Sequence, residues 1–114
     1  MFNLFVVIGR VAEISRHKPT DRPYAVTDLI LDSTRPYVSE NGTPIVDRYR
    51  VRLWRGIGEE CASVLQKGDI IAVKGRIQSD NMSHQEKIYY NVMLIAEKVS
   101  FITVNGLAPE EDRF

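Results

Sequence analysis

Cysteine is almost missing: Cys61 stands alone in 114 residues. A disulfide within the chain and a metal site built from several cysteines are both excluded, and a reducing, cytoplasmic setting is expected. Histidine is scarce too. His17 and His84 both lie in polar stretches and read as surface residues. No Gly-rich phosphate loop, no base beside a nucleophile and no carboxylate cage is visible, so the chain reads as non-enzymatic, without metal or cofactor. Long apolar runs are lacking. The N-terminal run Leu4–Ile8 has five residues, against the roughly 20 that a membrane span needs, and it is too short for a signal-peptide core. No membrane partner is expected. An excess of either charge is lacking as well, with 15 Lys and Arg against 15 Asp and Glu.

What is there is ordinary in amount and uneven in placement. Apolar content of 44% and charged content of 26% suit a globular chain, and the length suits one domain. The stretch Gly106–Phe114 carries three acids and one arginine, net −2, leaving residues 1–105 at +2. The expected division is a domain over 1–105 and a short acidic tail over 106–114. Charge segregated in this way can serve a local binding groove although the total is zero.

The most informative stretch is Asp47–Gly56, Asp-Arg-Tyr-Arg-Val-Arg-Leu-Trp-Arg-Gly. Tyr, Val, Leu and Trp favour a strand. Alternation puts Arg48, Arg50, Arg52 and Trp54 on one face and Tyr49, Val51, Leu53 and Arg55 on the other. Three guanidinium groups cannot be buried without anions, so the first face is a solvent-facing positive row ending in an indole. Cations for phosphate and a flat ring for a base are what a single-stranded nucleic acid needs. The competing reading is an arginine face neutralised by acidic neighbours, with Trp54 half-buried.

Taken in order, Phe2–Ala12 reads as a first strand with Gly9 marking a bulge or bend. Both faces of Leu4–Ile8 are apolar, so the outer one meets either another subunit or the chain's own loops; Leu4, Phe5, Val6 and Val7 are the candidate interface residues. Tyr24–Ser33 is a second strand, with Thr27, Leu29 and Leu31 opposite Val26, Asp28, Ile30 and Asp32. Asn41-Gly42 marks a hairpin tip before the third strand. Gly56–Lys67 has helical spacing, with Ile57, Cys61, Val64 and Leu65 on one face, Glu59 and Glu60 in the first turn and Lys67 in the last. Cys61 is then a small buried residue. Asp69–Gln78 is a fourth strand, Ser79–Glu86 a polar loop and Lys87–Ile95 a fifth strand, extended by Val99–Val104. Three strands, a helix and two more strands is the plan of an all-β, five-stranded OB-fold barrel with its helix between strands three and four.

The residues also resemble those of the bacterial single-stranded DNA-binding protein family. Asn3-Leu-Phe-Val-Val-Ile-Gly-Arg-Val is similar to that family's opening strand, and Tyr49–Gly56 to its third. Ala62-Ser-Val-Leu-Gln-Lys-Gly-Asp-Ile-Ile-Ala-Val-Lys-Gly-Arg-Ile resembles its helix-to-strand signature. The resemblance spans residues 3 to about 102. It implies single-stranded DNA as partner, bound without strong sequence preference, in replication, recombination or repair. It also implies a homo-oligomer, a tetramer rather than a dimer, and a nucleoid-associated location. By position, Trp54 and Tyr37 are the stacking aromatics, with Arg35 beside Tyr37; Arg48, Arg50, Arg52, Lys74 and Arg76 are read from the chain itself as counter-charges for phosphate. Arg48 and Met82 stand where the family usually has aromatics, and Gln78 and Asp80 where it often has basic residues, so the stacking path looks thin at the last hairpin. The tip Pro109-Glu-Glu-Asp-Arg-Phe is acidic like the family's but has no long linker. Its Glu110, Glu111, Asp112 and Phe114 are the candidate contacts to replication and repair proteins. The alternatives are a primosomal-type OB-fold subunit acting mainly through protein contacts, with weaker DNA binding, and an RNA-binding OB domain.

Overall fold

The computed structural model describes residues 1–18, 20, 23–62 and 64–103. The elements in chain order are β1 (Phe5–His17), β2 (Val26–Val38), β3 (Pro44–Leu53), α1 (Arg55–Ala62), β4 (Ile70–Ser79), β5 (Met82–His84), β6 (Lys87–Tyr89) and β7 (Val92–Thr103). Strands β1, β2, β3, β7 and β4 close a barrel in that order, and β5 and β6 form a separate two-stranded sheet. The pair β3–β7 is parallel and the other barrel pairs are antiparallel. This is the expected five-stranded OB plan, with its short helix between β3 and β4.

Alternation sorts the residues as the sequence suggests. Leu29 and Leu31 of β2, Val51 and Leu53 of β3, and Ile71 and Val73 of β4 fill the barrel, with Val11 from β1 and Cys61 from α1. Asn3 extends the edge of β1. Its side-chain amide donates to the Ile77 carbonyl, and its side-chain oxygen accepts from the Ile77 N–H at 2.8 Å. Glycine is required where strands come close. A Cβ at Gly9 would meet the Asp32 carbonyl oxygen at 2.9 Å, and one at Gly75 would collide with the Ile95 carbonyl. The β1–β2 bulge falls just beyond Gly9, between Val11 and Glu13.

Four expectations need correction. The helix ends at Ala62 rather than Lys67, so Glu59 and Glu60 lie beyond its first turn and Lys67 lies outside it. Gly56 and Gly58 weaken it by about 1 kcal/mol each relative to alanine, and a competing turn starts early. There the Asp69 carboxylate accepts from the Gln66 N–H at 2.9 Å and Gly68 takes φ +93°. Val64 is consequently exposed, leaving Ile57, Cys61 and Leu65 as the inward face. Burial pushes the Cys61 thiol pKa up, helped by the nearby Glu60 charge. The polar stretch Ser79–Glu86 contains β5, which forms a hairpin with β6 whose register places Met82 opposite Tyr89. Lys87–Ile95 is therefore broken into β6 and the start of β7. Finally, Phe5 is 8% exposed and belongs to the core, as does the half-buried Val7 in part; neither faces outward. Leu4, Val6 and Ile8 do, at 41%, 61% and 54% exposure.

Candidate nucleic-acid interface

The outward strip of β3 carries Arg48, Arg50 and Arg52, as alternation requires, and the register sets it against β2. Arg48 opposes Asp32, Arg50 opposes Ile30, and Arg52 opposes Asp28. Two of the three arginines are thereby held. Arg52 donates through Nε and Nη2 to the two Asp28 oxygens at 2.9 and 3.1 Å, with only 14% and 8% of the two side chains exposed. Arg48 makes the same two-bond fork to Asp32 at 2.7 and 3.1 Å, but its side chain is 62% exposed. Forked guanidinium–carboxylate pairs of this kind are directional as well as strong. The Asp32 carboxyl is held below the usual carboxylate range by Arg48. Arg50 has no hydrogen bond or ion pair among the described residues and is exposed. Both readings of the row are thus partly right: the face is solvent-facing, and acidic neighbours neutralise much of it.

Beside this strip lies an open cavity of about 300 Å³ between β1, β2 and β3. Glu13, Ser15 and His17 of β1, Asp28 and Ile30 of β2, and Arg50 and Arg52 of β3 line it. His17 Nε2 lies 3.5 Å from the Asp28 carboxylate. Trp54, just after β3, is half-buried, with Tyr24 edge-on to it at a centroid distance of 6.1 Å.

The β2–β3 hairpin carries the second candidate aromatic. Tyr37 is 59% exposed. The Arg35 guanidinium sits 6.0 Å from its ring centroid and forks onto Asp47 with two bonds of 2.9 Å. That pair holds the Asp47 carboxyl below its usual range and keeps Arg35 charged. Arg35 is therefore occupied, but it fixes Tyr37 beside it. Lys74 and Arg76 do not join the strip. They lie on β4, which β7 separates from β3, and Arg76 lies 3.7 Å from Glu97.

Four contributors escaped the sequence reading. Glu13 and Ile30 become visible only once β1, β2 and β3 are in register. Tyr89 and Tyr90, 49% and 78% exposed, put aromatic surface on the β5–β6 hairpin. Tyr89 stands across from Met82, so this hairpin displays aromatic surface that the position of Met82 alone does not supply. The Tyr-Tyr pair was the available signal. The tip residues Glu110, Glu111, Asp112 and Phe114 lie outside the described residues. Among the described residues, no three His, Cys, Asp or Glu side chains cluster to hold a metal, and no helix is long and apolar enough to cross a membrane.

A closed OB-type barrel that displays arginines and aromatics on its second and third strands defines a nucleic-acid-binding module. Comparison with known proteins agrees. The profile of the single-strand binding protein family matches residues 2–102. The chain belongs to that family. It is 31% identical to a single-stranded DNA-binding protein of Caldanaerobacter subterraneus, across 99% of this chain and 79% of the relative. It is 28% identical to one from Oceanobacillus iheyensis, covering 98% and 70% respectively. Among solved structures, a Plasmodium falciparum single-strand binding protein in complex with single-stranded DNA superposes with a TM-score of 0.71. That alignment covers 90% of this chain and 96% of the other at 17% identity, a likeness of fold.

Proposed function

We propose that the protein is a non-enzymatic binder of single-stranded DNA, serving replication, recombination or repair. The supporting observation is the strip of Arg48, Arg50 and Arg52 on β3, with the half-buried Trp54 just after it, on an OB barrel in this family. Bases stack on Trp54 and Tyr37, with Tyr89 and Tyr90 extending the aromatic path to the β5–β6 hairpin. Arg50 is the arginine of the strip that no described carboxylate pairs. Arg48, exposed despite its pair, keeps further N–H groups for a phosphate, and Lys74 and Arg76 offer charge to backbone passing over β4.

The protein acts as a homo-oligomer, a tetramer rather than a dimer, through the outer face of β1. Leu4, Val6 and Ile8 form an apolar row there that water would otherwise cover. The acidic tip with Glu110, Glu111, Asp112 and Phe114 contacts replication and repair proteins: acids on basic groups, the ring in an apolar pocket. A nucleoid-associated location follows from this activity. Sedimentation with dT oligomers of increasing length tests the reading. Each oligomer should co-sediment above a minimal length with a tetramer-sized particle. A monomer that leaves all lengths free would contradict it.

One observation favours a second reading, a primosomal-type subunit that binds DNA weakly and acts through protein contacts. Arg35, Arg48 and Arg52 are already forked onto Asp47, Asp32 and Asp28. Weak dT binding with little salt dependence, alongside firm capture of replication proteins, would select it.

A further inference from the structure

We infer that the cavity between β1, β2 and β3 is a subsite for a single base of the bound strand, and that it prefers guanine. The inference rests on the single-stranded DNA reading and adds a base preference at one position within it.

Glu13, Ile30 and Arg50 lie side by side on three adjacent strands: Glu13 opposes Ile30 and Ile30 opposes Arg50. Adjacent strands are spaced by about 4.8 Å, so the Glu13 and Arg50 backbones stand roughly 10 Å apart with Ile30 between them. All three side chains line the same cavity. Glu13 and Arg50 are exposed and neither forms a hydrogen bond or ion pair among the described residues, although the Glu13 charge reaches Arg48, which is itself forked onto Asp32. The remaining charges nearby are committed, Arg52 to Asp28 and Arg48 to Asp32.

A phosphate would not choose this position. Counting Glu13, Asp28 and Asp32 against Arg48, Arg50 and Arg52, the strip has no net positive charge, and a carboxylate faces the cavity directly. A base lying flat on Ile30 meets an apolar surface beneath it, an acceptor-only carboxylate at one edge and a donor-only guanidinium at the other. Guanine matches both edges. Its N1–H and N2 amino group donate to Glu13, and its O6 and N7 accept from Arg50. Thymine sets two carbonyl oxygens beside its one donor and so repels Glu13. Adenine presents an unprotonated N1 to it. Cytosine offers its amino group but lacks the N7 acceptor.

The test uses the full chain and labelled dT oligomers, compared with oligomers of equal length carrying one dG at successive positions. At one position the dG oligomer should bind about fivefold tighter, the lower end for one bidentate base contact. Replacing that dG by inosine, which lacks the N2 amino group, or by 7-deazaguanine, which lacks N7, should each remove most of the advantage. Arg50→Gln should bring the dG-to-dT affinity ratio to about one, and so should Glu13→Ala. Equal affinity for dG and dT oligomers at every position would overturn the inference and leave single-stranded DNA binding standing. So would an Arg50→Gln protein weakened equally toward both, with a salt dependence flatter by about 0.7 per lost contact, since Arg50 would then hold a phosphate. Failure of the unmodified protein to bind any dT oligomer would overturn the DNA reading, and this inference with it.

Discussion

Removing the carboxylate from Asp28 and from Asp32 in turn separates folding from binding on this face. Asp28 and Arg52 are nearly buried and joined by two hydrogen bonds. Truncating one partner of a buried pair costs about 3–5 kcal/mol, because the other charge is left in a dry site. Asn in place of Asp28 keeps the shape and one acceptor oxygen, and Arg52 retains some solvent access, so the expected loss is about 2–3 kcal/mol. In a domain of this size that lowers Tm by roughly 10 °C or more. The Asp32–Arg48 pair is largely in water, and Asp32→Asn should leave the melting temperature close to that of the parent. On DNA the order reverses. Asp32→Asn frees the exposed Arg48 for a phosphate and should steepen the slope of log affinity against log salt by about 0.7, whereas Arg52 stays in its nearly buried site after Asp28→Asn. Thermal melting and anisotropy titrations with a dT oligomer at several salt concentrations measure both quantities. The reasoning fails if Asp28→Asn melts like the parent, or if Asp32→Asn leaves the salt slope unchanged.

Other expectations follow from particular contacts. Tyr37→Ala should weaken binding to dT oligomers by about 1–3 kcal/mol, the scale for one stacked base, with no change in melting temperature, because the ring is exposed. Phe5→Ala should cost about 3–5 kcal/mol of folding stability, whereas Val6→Asp should leave the fold intact and reduce the mass seen in sedimentation. Asp32 and Asp47 have pKa values lowered by Arg48 and Arg35. Their pairs therefore contribute fully above the ordinary value of 3.8 and lose that contribution as pH falls through the lower folded-state values. Urea melts should show it as a decline below about pH 4 and no effect from these pairs between pH 5 and 9. Deleting Pro109–Phe114 should abolish capture of replication proteins; equal capture without the tip would refute its role.

Much of this was legible in the chain. Alternation alone placed Arg48, Arg50, Arg52 and Trp54 outward and Val51 and Leu53 inward. It also placed Asp28, Ile30 and Asp32 outward on β2. What it could not give was which acid meets which arginine. Counting back from the tip, Val38 pairs with Pro44, which extrapolates to Asp32 opposite Arg50. The observed register is offset by two residues, because the ladder is irregular between Thr34 and Val38. Pro36 lies in that interval and has no N–H to offer the ladder. The shift moves the acids onto Arg48 and Arg52 and leaves Ile30 facing Arg50, so one irregularity decides the electrostatics of the face. The helix was overextended for a related reason. Apolar spacing through Val64 and Leu65 looked helical, while the Gln66–Asp69 turn, fixed by a side-chain bond and a left-handed glycine, was invisible to periodicity. The start of β1 was recognised as apolar on both sides, but its four candidate interface residues came from both faces: Leu4 and Val6 point outward, while Phe5 and in part Val7 enter the core.

Tryptophan fluorescence during titration with a dT oligomer tests the central claim most directly. Trp54 is the one tryptophan in the chain, so any change in emission comes from the end of the β3 strip. A base stacked on the indole should quench the emission in a saturable way, with the midpoint moving to higher DNA concentration as salt is raised. Emission that stays unchanged at DNA concentrations shown by anisotropy to saturate the protein would contradict the claim that DNA runs across this face.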